Sequence, residues 1–397
     1  MSPDRRPPDT TKGPTPTPHS DSAFIRAARS EPVPHVPVWF MRQAGRSLPE
    51  YKEVRGSGTI LDAIADADRA TEITLQPVRR YGVDAAILYS DIMVPAHAVG
   101  FGVDIQPGLG PVVENPIRSA ADLERLRPLE ADLDTPYVLD TVRNLTSELE
   151  VPLIGFAGAP FTVASYLVEG RPTRTWVRTK ALMHNDEHLW HGLMDRLADM
   201  AIASLHSQVD AGAAAVQLFD SWAGALSPSE YERFVLPASS RVLAEMRASG
   251  VPRIHFGVHT GELLGLMAAA GADVVGVDWR TPMGAARDRV PAGTALQGNL
   301  DPGLVAAGGP AVEPAVRAVL DSGADPRGGH IFNLGHGVLP ETDPDTLARV
   351  VELVHAHTLT RDTAAPYTAA PYTAAPDTAT QDAVTPRTGK PPQDVDS

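Results

Sequence analysis

Val38-Trp-Phe-Met-Arg-Gln-Ala-Gly-Arg-Ser-Leu-Pro-Glu-Tyr51 is a short apolar run that stops abruptly at two arginines, Arg42 and Arg46. The apolar residues suit a buried strand, and Gly45 suits a backbone that something must approach closely. Arginine keeps its proton and offers a planar fork of donors that grips carboxylates in pairs. Two such forks just past a strand end make a site for a ligand carrying several carboxylates. The plainer reading is surface ion pairing, which is common and weak.

Further short apolar runs follow at 84–89, 152–157, 214–219, 253–258, 273–277, 295–300 and 330–334, after the first at 37–41. None shows the strict polar alternation of a half-exposed sheet, and helical patterns separate them, so they read as parallel strands buried on both faces. Ser227-Pro-Ser-Glu230 is a capping box that starts a helix, which Pro237 interrupts, with Gly250 placed as a later cap. Leu189, Leu193, Leu197 and Met200 share one helical face, as do Leu347, Val350, Val351 and Val354 after Asp343-Pro344. Eight strand-then-helix repeats predict an α/β protein, a (β/α)8 TIM barrel. An open doubly wound sheet is the competitor, but no Gly-x-Gly-x-x-Gly turn follows the first strand.

The 397-residue chain is long enough for one such barrel with tails, and its 43% hydrophobic content supports a large core. Residues 1–20 are proline-rich, and 361–397 carry repeated Ala-Ala-Pro-Tyr-Thr. Both are expected to be disordered tails around a single catalytic domain at 21–360. A net charge of −15 argues against nucleic acid and anionic membranes as partners. There is no cysteine, so thiolate zinc sites, iron–sulfur clusters and disulfides are excluded. Neither a signal-peptide core nor an apolar run of about 18 residues is present, so a soluble, cytoplasmic protein is expected.

Functional groups of a barrel sit where strands end. Asp91 follows the second run directly; it either enters the mouth or caps the next helix. Tyr166, beyond the third run, is a core aromatic or a hydrogen-bond donor into the mouth. Ser221 follows the fourth run without a Gly-x-Ser-x-Gly elbow, so it reads as a donor or turn residue. His336, between two glycines after the eighth run, should share a wall with the arginines, since strands one and eight of a closed barrel are neighbours. His259-Thr-Gly, Asp278-Trp279 and Asn299-Leu-Asp-Pro302 read as loop architecture. No phosphate-binding glycine loop is evident. None of Lys12, Lys52, Lys180 and Lys390 stands at a strand end, so no cofactor is expected.

The segments Phe40-Met-Arg-Gln-Ala-Gly-Arg46, Leu88-Tyr-Ser-Asp-Ile92, Gly158-Ala-Pro-Phe-Thr-Val-Ala-Ser-Tyr-Leu-Val-Glu-Gly170, Phe219-Asp-Ser-Trp-Ala-Gly224, Gln297-Gly-Asn-Leu-Asp-Pro302 and Asn333-Leu-Gly-His-Gly337 occur in one order over 23–357. In that pattern the chain resembles the uroporphyrinogen decarboxylase family. The resemblance implies a cofactor-free homodimeric enzyme that converts the four acetates of uroporphyrinogen III to methyls, giving coproporphyrinogen III. It places substrate binding at Arg42, Gln43, Ala44, Gly45, Arg46, Asp91, Tyr166, Ser221 and His336, with Asp91 and Arg42 catalytic. Phe40, Ser47 and the tails depart from the family pattern.

That chemistry suits these residues. Loss of carbon dioxide from an acetate sends electrons into the pyrrole once a ring carbon is protonated, and a fixed carboxylate stabilises the resulting cation. Arginine, with a pKa above about 12, is an awkward acid, so the proton donor is left unassigned. The rival enzyme reading, a corrinoid or methionine-type methyltransferase, relies on a zinc site commonly built with cysteine. A tetrapyrrole carrier without catalysis is the rival from another class.

Overall fold

A computed structural model of the chain describes residues 19–45 and 47–361. Arg46 and both predicted tails, apart from residues 19, 20 and 361, lie outside the described residues. The architecture is α/β. Seven strands, β1 (Ala86–Ile87), β4 (Leu153–Gly158), β5 (Ala215–Asp220), β6 (Arg253–Gly257), β7 (Val274–Gly276), β8 (Ala295–Gln297) and β9 (His330–Ile331), form one parallel sheet in that order. Every residue of β4, β6, β7 and β8 is buried, which is why these strands read as continuous apolar runs.

The first predicted run, 37–41, is a correction: it is no regular strand. Phe332 N–H donates to Pro37 O (2.8 Å) and Trp39 N–H to Phe332 O (3.3 Å) on one side, and Asp84 N–H donates to Val38 O (2.8 Å) on the other. The segment therefore lies between the two edges of a curled sheet, bridged to it only at Val38 and Phe332. The physical reason for its irregularity is where its own N–H groups go. Val38 donates to the Asp84 carboxylate, Phe40 to the Gln43 side chain and Met41 to the Asn333 side chain, so they leave no ladder to propagate.

An antiparallel hairpin, β2 (Val103–Gln106) with β3 (Gly110–Val113), stands apart from the sheet. Its β2 alternates buried Val103 and Ile105 with exposed Asp104 and Gln106. Helices cover the outside. The Ser227 capping box forms in both directions at the start of helix Pro228–Phe234, and the break at Val235 precedes helix Leu236–Glu245. Helix Glu187–Ala211 buries Leu189, Leu193, Leu197 and Met200, and helix Pro344–Arg361 buries Leu347, Val350, Val351 and Val354. Among the described residues no helix is long and apolar enough to cross a membrane.

Inside the curl, Trp39 Nε1 donates to Gln297 Oε1 (3.0 Å), and Gln297 Nε2 donates to Gln217 Oε1 (3.0 Å). This buried relay fastens the 37–41 segment across the sheet to β8 and β5. Towards the strand ends Phe156, Phe219 and Phe256 meet edge to face, at centroid separations of 5.3 and 6.1 Å. Polar struts below and an aromatic layer above set the floor on which the strand-end residues stand.

Candidate active site

Arg42 follows the last residues of the 37–41 segment with φ at 60°, a left-handed conformation that a non-glycine residue adopts at a cost of roughly 1–3 kcal/mol. The bonds that hold Phe40 and Met41 before it, and the Gln43 N–H that donates to Phe40 O (3.0 Å) after it, dictate this turn. The Arg42 side chain is exposed, and its methylenes pass directly over Gly337. Arg42 and His336 thus share one wall.

Gln43 is 1% exposed, and its amide holds the loop together: Oε1 accepts from Phe40 N–H and Nε2 donates to Ala85 O (3.1 Å). Any contact it makes with a ligand therefore comes from its backbone. Ala44 is half-buried beside it. At Gly45, φ is 111° and a Cβ would lie 3.3 Å from the Tyr51 ring, so glycine is required both by the turn and by the approach. Tyr51 in turn shares a hydrogen bond with Tyr89 (3.1 Å between hydroxyl oxygens), two residues before Asp91.

Asp91 shapes the turn before the next helix without capping it, since Met93 stands at the N-cap of that helix and no side chain bonds there. Its Oδ1 accepts from Met93 N–H (2.9 Å) and its carbonyl from Val94 N–H (3.1 Å), turning the chain into helix Val94–Ala98. It is also half-buried at the strand ends, and its charge is felt by two phenols. Tyr166, on helix Pro160–Glu169, has its pKa pushed up to about 12: burial contributes most, Asp91 adds to it, and Arg42 pulls the other way. Tyr89 is raised by burial, by its bond to Tyr51 and, more weakly, by Asp91. Both phenols keep their O–H at physiological pH, so Tyr166 is a donor beside an anion and a cation.

The Tyr166 ring lies on Trp222, with centroids 4.0 Å apart and planes tilted by 34°. Trp222 is held by its N–H, which donates to Thr162 Oγ1 (3.2 Å), while that hydroxyl donates to the buried Asp220 Oδ1 (2.8 Å). This relay fixes the turn that carries Ser221, half-buried directly after β5, whose hydroxyl makes no hydrogen bond among the described residues.

His336 Nδ1 accepts from Gly337 N–H (2.6 Å), which in a neutral ring leaves the proton on Nε2. The flanking glycines serve the packing of neighbours rather than free the ring. A Cβ at Gly335 would strike the Trp279 backbone nitrogen, and one at Gly337 would strike the Arg42 side chain. Trp279 stands 6.3 Å from the His336 ring, and Arg280 lies 3.7 Å over the Trp279 ring while pairing with Asp278 (3.2 Å). Reading 278–279 as loop architecture passed over this cation beside the mouth. An aromatic and an arginine a few residues past the end of β7 are the same kind of signal that marked Arg42.

The wall therefore brings together Arg42, Asp91, Tyr166 and His336, with Ser221 held on the Tyr166–Trp222 side. An anion, a cation and neutral donors around an aromatic floor are able to bind a flat polycarboxylate and stabilise positive charge within it.

Comparison with known proteins agrees with this chemistry. Residues 19–357 match the family described as Uroporphyrinogen decarboxylase (URO-D). The chain is 60% identical over 349 residues to "Uroporphyrinogen decarboxylase" of Salinispora tropica, covering 87% of this chain and 93% of that protein. It is 61% identical over 339 residues to the protein of the same name from Streptomyces griseus, covering 85% and 92%. Among solved structures, a methyltransferase from Methanosarcina mazei superposes with a TM-score of 0.68 at 18% identity, covering 84% of this chain and 98% of that one. That likeness concerns the fold alone.

Proposed function

This chain belongs to the uroporphyrinogen decarboxylase family, and from that premise we propose how its residues perform the decarboxylation. The enzyme is a carboxy-lyase: it removes carbon dioxide from the four acetate side chains of uroporphyrinogen III, leaving the methyls of coproporphyrinogen III. Each of the four decarboxylations consumes one proton and releases one carbon dioxide. The pyrrole is protonated on a ring carbon, and the electrons of the breaking C–C bond enter the ring to leave an exocyclic methylene. That carbon takes up a second proton to become a methyl as the ring proton is lost, so the net uptake is one proton.

Asp91 accepts the pyrrole N–H groups and stabilises the ring cation as it forms. Arg42 and Arg46 clamp flanking carboxylates, and the backbone of Gln43, Ala44 and Gly45 lines their approach. Tyr166, Ser221 and His336 donate to the remaining carboxylates. The reading requires no cofactor, because the ring is itself the electron sink. The observation that carries it is the family match over residues 19–357, to which the site adds a buried Tyr166 phenol under the influence of Asp91 and Arg42.

The 37–39 segment is read as the remaining stave of a closed (β/α)8 barrel; its backbone bonds to both edges of the sheet support this. The catalytic unit is 21–360, active as a cytoplasmic homodimer, with 1–20 and 361–397 dispensable to turnover.

Anaerobic incubation with uroporphyrinogen III, without added metal or cofactor, tests the function. Separation of the oxidised porphyrins by carboxylate number is expected to show a ladder from eight to four, since four acetates are lost. An unchanged eight-carboxylate peak from folded protein that binds the ligand would support a carrier instead.

A further inference from the structure

Beyond the N-terminal ends of the strands, away from the mouth, three side chains with metal-ligand chemistry converge. His35 comes from the segment that leads into Val38, Asp84 from just before β1, and His355 from helix Pro344–Arg361. His35 Nε2 lies 2.7 Å from Asp84 Oδ1, and His355 Nε2 lies 2.9 Å from Asp84 Oδ2. The two imidazoles meet edge to face at 4.8 Å, and the three donor atoms all lie within 4.8 Å of one another.

We propose that His35, Asp84 and His355 form a site for a borderline divalent cation of the zinc type. Two imidazole nitrogens and a carboxylate oxygen are the ligand set such ions take, with bonds of about 2.0–2.2 Å. Tetrahedral ligands at that bond length stand roughly 3.4 Å apart, so the imidazoles need only small rotamer adjustments to close on an ion. The Asp84 carboxylate is already oriented from outside the triad, because Oδ2 accepts from Val38 N–H (2.7 Å). The side chains of His35, Asp84 and His355 are 30%, 16% and 34% exposed, which gives an entry path and leaves room for water in a fourth position.

The three ligands come from three separated parts of the chain, so an ion here would tie the C-terminal helix to the segment between the sheet edges and to the start of β1. Binding has to displace the hydrogen bonds that now link both imidazoles to Asp84. It therefore competes with protons and weakens as pH falls.

The test is calorimetric titration of the chelator-treated full chain with zinc chloride, beside the variants His35→Gln and His355→Gln. Glutamine keeps a donor for Asp84, and two variants guard against one failing to fold. The expected result is a single saturable site at neutral pH, weakened about tenfold or more in each variant. Zinc should raise the melting temperature of the parent more than that of either variant. Decarboxylation by the metal-free variants should match that of the metal-free parent. Absence of saturable binding, or equal affinity and equal thermal shift in parent and both variants, would overturn the proposal and leave the triad as a hydrogen-bonded clip.

Discussion

Arg42 packs over Gly337 so tightly that a Cβ at 337 would lie 2.5 Å from Arg42 Cδ and 3.1 Å from its Cβ. The clash falls on the stem of the arginine, whose backbone is already held in the left-handed region, so the side chain has little freedom to yield. Gly337→Ala is therefore expected to move the guanidinium without touching substrate itself. Displacement of a positioning group on the scale of 1 Å costs about 100-fold, so kcat/KM should fall by about 10- to 100-fold. Steady-state kinetics beside a thermal melt checks this: the melt should change far less than the rate.

Tyr166 supplies a second prediction. Burial and then the Asp91 charge push its phenol up to about 12, so it stays protonated throughout the working range. The pH–rate profile should show no alkaline loss attributable to Tyr166 below about pH 10. Tyr166→Phe removes a donor to a carboxylate and should lower kcat/KM by about 10- to 100-fold, the worth of one hydrogen bond to a charged group. Asp91→Asn removes the negative neighbour, so ultraviolet titration should find the Tyr166 pKa lower in that variant than in the parent.

The Asp84 clip predicts a pH-dependent contribution to stability. Burial alone would raise the carboxyl, but hydrogen bonds from His35, His355 and Val38 N–H together hold it down to about 2, against an ordinary 3.8. A depressed folded pKa stabilises above the unfolded value, and the contribution is lost as pH falls through the folded one. His35 acts in the opposite sense: its pKa is raised from 6.5 by the bond to Asp84, so its share is full below 6.5 and fades as pH rises through the raised value. Asp84→Ala should cost about 2 kcal/mol near neutral pH by urea unfolding. The deficit should shrink between pH 3.8 and about 2 as the parent's own carboxyl protonates.

Removal of residues 1–18 and 362–397 together should leave kcat and KM within about twofold of the full chain, because the match to the family spans residues 19–357. A large loss on truncation would assign the tails a part in turnover.

Much of this arrangement is legible along the chain, and the exceptions have physical causes. The runs that became β4 to β8 are apolar because their strands are covered on both faces, and that burial writes itself into local composition. The 37–41 run has the same composition, yet its N–H groups are claimed by Asp84, Gln43 and Asn333, and the Asn333 partner is 292 residues from Met41. Asp84 itself passed for a strand residue because its imidazole partners are 49 and 271 residues distant. The β2–β3 hairpin was locally legible, from the alternation at 103–106 and the Pro107-Gly108 turn, but a search for continuous apolar runs passes over alternating ones. At the site, Arg42 and Asp91 announce themselves by charge after apolar runs, and His336 by its place between two glycines after the last run. The Trp222 brace depends on Thr162 and Asp220, which look unremarkable until the fold stacks them.

The account rests on Asp91 stabilising a cation that exists only as the reaction proceeds. Asp91→Asn keeps the size of the side chain and an oxygen able to accept from Met93 N–H while removing the charge. Steady-state kinetics of that variant with uroporphyrinogen III should show kcat falling by about 100-fold or more while KM changes little. An unchanged kcat with a raised KM would make Asp91 a binding residue and contradict the cation-stabilising mechanism.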